Sequence, residues 1–105
     1  MVASGHPIDA LGEPTRRRIF ELLRDGPLPV GELAAQLPVS RPAVSQHLRV
    51  LKDAGLVADR KAGTRRLYEI DPAGVSELHA WVDNFWSESL ARYKAAAERR
   101  GDGTR

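Results

Sequence analysis

The chain contains no cysteine. That absence excludes disulfides, thiolate metal sites and thiol nucleophiles, and it fits a reducing compartment. Aromatic residues are few, two each of Trp, Tyr and Phe, so where they fall carries information. No apolar run approaches the ~18 residues of a membrane span, and Met1-Val2-Ala3-Ser4-Gly5-His6-Pro7 has no apolar core of a signal peptide. Internal repeats and low-complexity linkers are missing. So are a phosphate-cradling glycine loop and a Ser–His–Asp grouping. The sole acid–base cluster is Glu77, His79 and Asp83, and an enzyme is not expected. A chain of 105 residues suits one domain spanning 1–105. Such a domain buries only about 60–70% of its chain surface. Its core is therefore modest, and dimerisation would relieve that limit.

Charge is the next guide. The formal net charge of +2 says little, but its distribution is uneven. Residues 41–66 hold seven cations (Arg41, Arg49, Lys52, Arg60, Lys61, Arg65, Arg66) against Asp53 and Asp59, a local +5 that leaves −3 for the rest. A basic segment on a mildly acidic body is the footprint of a polyanion-binding surface.

Within that segment, residues 40–54 form the stretch around which the chain is organised. At about 100° per residue Val44, Leu48 and Leu51 stack on one side, with Pro42, Ser45, Gln46, Arg49 and Asp53 opposite. The spacing predicts an amphipathic helix whose outer face carries hydroxyls, an amide and a guanidinium. These groups suit phosphates and base edges in a DNA major groove. Ser40 is a good N-cap with Pro42 in the first turn, although Arg41 can serve as cap instead. Gly55 ends the run. His47 sits at the shoulder of the apolar stripe, either packed or touching phosphate.

Upstream, Ile8 to Leu11 predicts one or two helical turns. Pro14 opens a helix that buries Ile19, Phe20, Leu22 and Leu23 and ends at Asp25-Gly26-Pro27. Arg16, Arg17 and Arg18 crowd its first turn, where cations are mildly unfavourable. They are a solvated face, phosphate contacts or partners of a neighbouring acid. Leu28-Pro29 reads as an extended link. Val30, Leu33, Ala34 and Leu37 then predict a short helix broken by Pro38. Two helices joined this tightly, the second with a readable polar face, make a helix-turn-helix.

Downstream the period changes. Residues 56–61 read as a strand, Ala62-Gly63-Thr64 as a turn and Arg65 to Ile70 as the returning strand. This hairpin is a wing with Lys61, Thr64, Arg65 and Arg66 near its tip, placed to meet the backbone or the minor groove. Charged edges also prevent strand pairing, which is the competing explanation. Asp71 caps a final long helix with Pro72 in its first turn. Along it Val75, Leu78, Val82 and Phe85 step by three and four, while Trp81, Trp86, Leu90 and Tyr93 widen the stripe. A small domain has nothing of its own to cover so broad an apolar face. The face therefore points to a two-fold partner, with another side of the helix expected to pack against residues 8–23 of its own chain.

The run Ser45-Gln46-His47-Leu48-Arg49-Val50-Leu51-Lys52-Asp53-Ala54-Gly55-Leu56-Val57, with Arg60, Gly63 and Tyr68 after it, resembles the signature of ArsR-type (arsenic-repressor-like) winged-helix regulators. Ala10 to Ile19 is similar to their opening helices, and the likeness covers about residues 8 to 97. The resemblance implies a homodimeric bacterial repressor on an inverted-repeat operator, often at its own promoter. It also implies departures. The helix that carries a cysteine cluster in metal-sensing members reads Glu32-Leu33-Ala34-Ala35-Gln36 here. Of the zinc ligands that another subgroup places between its terminal helices, only His79 and Asp83 are suitably spaced, with Leu90 where a further His is expected. A zinc site needs about four ligands. The chain is thus expected in the non-metal-sensing branch, with no metal and no cofactor.

The expected fold is mainly α with a small β-hairpin wing, a winged helix-turn-helix with N- and C-terminal dimerisation helices. Its parts are the helix-turn-helix at about 30–54, the wing at 56–70, the dimer helix at 72–98 and a frayed tail at 99–105. The expected DNA-binding residues are Ser40, Arg41, Ser45, Gln46, His47, Arg49, Lys61, Thr64, Arg65 and Arg66. The expected dimer interface is Leu78, Trp81, Val82, Phe85, Trp86, Leu90 and Tyr93. Double-stranded DNA and a second copy are the expected partners, in the cytoplasm at the nucleoid and not at a membrane. No small-molecule effector can be named from the residues. A winged helix used for protein contact is the rival reading, and it leaves the +5 segment without a purpose.

Overall fold

The computed structural model describes residues 6–103, and side chains through residue 100. In chain order the elements are α1 (Pro7–Ala10), α2 (Pro14–Leu22), β1 (Leu28–Pro29), α3 (Val30–Ala35), α4 (Arg41–Asp53), β2 (Val57–Ala62), β3 (Arg65–Ile70) and α5 (Pro72–Gly103). A single 3-10 turn, Leu23–Asp25, closes α2.

Local chemistry sets both ends of α4. Ser40 is extended (φ −73°, ψ 159°) and its hydroxyl accepts from the Ala43 N–H at 3.3 Å, so Ser40 rather than Arg41 is the cap. At the other end Gly55 takes φ 81°. Its N–H donates to the Lys52 carbonyl at 2.9 Å, and the Leu56 N–H donates to the Leu51 carbonyl at 3.0 Å. That pair of bonds is a Schellman closure, and Leu56 beyond it is fully buried. The strand that follows is thereby aimed back along the body.

The sheet holds one strand more than the hairpin. Leu28 and Pro29, expected to be a plain link, form β1 and pair antiparallel with Tyr68 and Leu67, giving the order β1-β3-β2. Two residues are too few for an alternating pattern to show. Pro29 is tolerated because β1 is an edge strand. β2 and β3 pair from Val57↔Ile70 to Ala62↔Arg65. The loop is therefore Gly63–Thr64, with φ 65° at Gly63 only, as in a type II′ turn.

The core draws on every helix of the body: Ala10 and Ile19, Leu33, then Val44, Leu48 and Leu51 of α4, with Leu56 and Val57 beyond it. α5 starts from Asp71, whose N–H donates to the Leu56 carbonyl at 2.8 Å and whose carboxylate accepts from the Ala73 N–H at 3.0 Å. One turn in, Gly74 is buried directly against Gly55, where a Cβ would overlap the Gly55 carbonyl. α1 packs on the same end of α5. The helix then leaves the body; its 32 residues make about 48 Å at 1.5 Å per residue, and the chain spans 71 × 30 × 26 Å. It runs to Gly103, so residues 99–103 continue the helix where a frayed tail was expected. Residues 104 and 105 of that expected tail lie outside the described residues. Among the described residues no helix is long and apolar enough to cross a membrane.

Candidate nucleic-acid interface

With Val44, Leu48 and Leu51 anchored in the core, α4 turns Ser45, Gln46 and Arg49 to solvent, together with Pro42 and Asp53. Pro42, Ser45, Gln46 and Arg49 line a shallow depression on that face. Ser40 and Arg41 are exposed at its N-terminal end, and the Arg41 guanidinium lies near Gly31 of α3. His47 is half-buried at the shoulder, near the Glu13 carboxylate. The main cause of the lowered Glu13 pKa is another contact. The carboxylate accepts from the Arg16 N–H at 2.9 Å, as the N-cap of α2.

The wing continues this surface. Lys61, Thr64, Arg65 and Arg66 are all exposed. Their partners differ. Arg65 reaches Glu32 of α3 at 3.3 Å, with both side chains well exposed. Arg66 donates to Asp59 Oδ2 at 2.7 Å, and Lys52 Nζ sits 2.7 Å from Asp59 Oδ1. Asp59 is only 9% exposed. Its hydrogen bond with Lys52, then that with Arg66, holds the carboxyl below the ordinary Asp range, overcoming the burial that pushes it up. Among the described residues Arg41, Arg49 and Lys61 carry no carboxylate partner. The seven cations of residues 41–66 are thus partly neutralised from within, by Glu32, Asp59 and the Glu69 that meets Arg60 at 3.6 Å.

The Arg16–Arg18 run has partners of its own. Arg16 Nε donates to the Ala10 carbonyl at 2.6 Å, and Arg17 donates to the Leu11 carbonyl at 2.9 Å. These guanidiniums close the C-terminal end of α1, where cations are favourable. Arg18 pairs with Glu21 at 3.6 Å. The expected pairing with a neighbouring acid holds for Arg18, whereas the carbonyls of α1 that take Arg16 and Arg17 were not foreseen. Sequence reading also gave no role to His6, whose Nδ1 accepts from the Ile8 N–H at 3.1 Å and caps α1.

On α5 the expected interface residues lie along one side. Trp81, Val82, Phe85, Trp86, Leu90 and Tyr93 are exposed, with Phe85 at 56%, Trp86 at 59% and Tyr93 at 73%. Leu78 is half-buried. Trp81 and Phe85 stack at 5.4 Å with 4° between their planes, and His6 meets the Trp81 ring edge-on at 6.2 Å. His79 and Asp83 are exposed on the same helix, and among the described residues of one chain no third ligand joins them.

Comparison with known proteins follows the same lines. A family profile described as "Helix-turn-helix domain" matches residues 11–60. The HTH-type transcriptional regulator Rv2034 of Mycobacterium tuberculosis is 57% identical over 95 residues, 90% of this chain and 89% of that protein. The crystal structure of a possible transcriptional regulator for arsenical resistance superposes with a TM-score of 0.73 at 46% identity, covering 90% of this chain and 96% of that one. The solution structure of a homodimeric winged helix-turn-helix DNA-binding domain from Mycobacterium bovis, a possible ArsR-family regulator, superposes with a TM-score of 0.61 at 34% identity, covering 78% and 76%.

Proposed function

Because this chain belongs to the ArsR family of winged helix-turn-helix transcriptional regulators, we propose that it is a homodimeric repressor that reads an inverted-repeat operator, including one at its own promoter. One observation carries the reading: Ser45, Gln46 and Arg49 are exposed on α4, and Lys52 of the same helix is joined through Asp59 to Arg66 of the cationic wing.

In this reading each subunit lays α4 in the major groove. Gln46 reads adenine, since its amide can bond N6 and N7 together, and Arg49 reads guanine or clamps a phosphate. Ser40, Arg41, Ser45 and His47 set the helix on the backbone, aided by the N–H groups of its first turn. Lys61, Thr64 and Arg65 hold the wing on phosphate or in the minor groove, and Arg66, bonded to Asp59, braces it. The apolar sides of two α5 helices pair across the two-fold axis. Half-sites should then lie about 10 bp apart or a multiple of that. Occupying a promoter excludes polymerase, which is repression. Without a thiol in α3 or elsewhere, release by a thiolate-bound metal is excluded, and we place the protein in the non-metal-sensing branch. It works in the cytoplasm, on the chromosome.

The test is selection of bound fragments from genomic DNA by the purified protein. The expected outcome is enrichment of sites with two-fold symmetry, the protein's own promoter among them. Gln46→Ala should then weaken the selected site by about 1–3 kcal/mol and leave random DNA nearly unaffected. An equal loss on both would remove Gln46 from the reading set. Failure to retain any fragment would favour a protein-docking use of the fold.

A further inference from the structure

A carboxylate in the middle of a surface that binds phosphate calls for a physical account, because on charge alone it opposes the ligand. Asp59 is such a group. It lies in the notch between α4 and the wing, with each oxygen given to a different cation, Lys52 of α4 and Arg66 of β3, both at 2.7 Å. The strand register directs it there. Asp59↔Tyr68 and Lys61↔Arg66 are paired positions two apart, so all four side chains share one face of the sheet. We propose that Asp59 is a specificity-determining residue of the DNA surface: by engaging Lys52 and Arg66 it withholds two cations from phosphate and keeps binding to arbitrary sequence weak. The inference rests on the DNA-binding reading above.

The wing's ion pairs are not equivalent. The Arg65–Glu32 pair is longer, at 3.3 Å, and both members are well exposed. Exposed pairs of this kind are weak and yield readily to a phosphate. The Asp59 pairs are short and charge-assisted, and the carboxylate is nearly covered. A phosphate that took both cations would leave that carboxylate, the most covered in the wing, without either partner, which costs more than releasing an exposed one. Lys61 and Arg65 are therefore available to the backbone, whereas Lys52 and Arg66 are held.

This division bears on specificity because phosphate contacts are blind to sequence and base contacts are not. Holding back two phosphate ligands lowers affinity for every duplex. The base-reading Gln46 and Arg49 are left alone. An equal loss on every duplex cancels from the ratio of operator to other sites, so a gain in that ratio comes from where the wing is held. The same bridge ties the wing to α4, so the wing cannot swing out alone to gather phosphates at a poor site.

The experiment is a salt titration of binding by fluorescence anisotropy, with the full chain on a random duplex and on the duplex selected from genomic DNA. For Asp59→Asn the random-duplex affinity should rise. Its log–log salt slope should steepen by about one to two units, at about 0.9 per freed cation. The ratio of selected to random affinity should fall. Simple damage to the fold would lower affinity instead. Lys52→Gln tests the same claim by another route. On the native background it should leave the slope unchanged, because Lys52 is already engaged, and on the Asp59→Asn background it should remove about 0.9. A slope no steeper in Asp59→Asn would overturn the inference. So would a loss of about 0.9 from Lys52→Gln alone, which decides the matter if Asp59→Asn does not fold. Native protein that ignores both duplexes would overturn the DNA-binding reading and this inference with it. Native protein that binds, with an Asp59→Asn variant that behaves as it does, would overturn only the inference.

Discussion

At the scale of single residues, the informative cases are those whose partner lies on another element. Ser40, Asp71 and Gly55 were legible in the sequence because a cap serves its own helix a few positions away. Arg16 and Arg17 were not, because their carbonyl partners belong to the preceding helix. Asp59 was counted only as a charge, since nothing in a strand pattern announces that two cations will converge on it. These local bonds have measurable worth. Arg16→Ala removes a charged hydrogen bond of 2.6 Å to Ala10, and we expect a loss of about 1.5–3 kcal/mol in urea denaturation. Arg18→Ala removes only an exposed pair with Glu21, and its effect should stay within about 0.5 kcal/mol. Equal costs would mean that the α1 closure contributes nothing.

At the scale of elements, α4 and the wing could be read directly because their periodicities differ and each is bounded by its own terminator. The two-residue β1 could not, since its only signature is the pairing itself. The end of α5 was set too early. Arg99-Arg100-Gly101 carries a glycine, yet the helix continues through it to Gly103. The joint between elements was also hidden: Gly74 is an ordinary helix-weakening residue until Gly55 is found against it. Two effects compete there. Gly74→Ala gains about 1 kcal/mol of helix propensity, while overpacking costs about 1–3 kcal/mol. The obstruction is backbone, which cannot rotate away, so the upper end applies. We expect a net loss of about 2 kcal/mol by thermal or chemical denaturation. A variant as stable as the native protein would mean that α5 shifts freely on the body.

At the scale of the whole molecule, a thin body carries one long helix whose apolar side is largely uncovered among the described residues. That much was legible, because four of the six aromatic side chains fall within residues 81–93. Isolated exposed hydrophobics are normal, but a continuous stripe of them is not. Trp86→Glu should leave the monomer fold within about 0.5 kcal/mol of native, since the side chain is mostly outside the core. It should sediment as a monomer, and operator affinity should fall with the loss of two-point attachment. A dimer that survives the change would move the two-fold contact to another face.

The placement of Trp81 and Trp86 has a further use. They are the chain's only tryptophans, and both lie on α5, with none in α4 or the wing. The ultraviolet emission of the protein therefore arises from one helix side. Dilution that separates subunits should shift its colour without any dye attached, whereas a duplex seated at the far end stays optically silent unless it bends that helix. The molecule thus carries a built-in gauge of its own assembly, independent of what it reads.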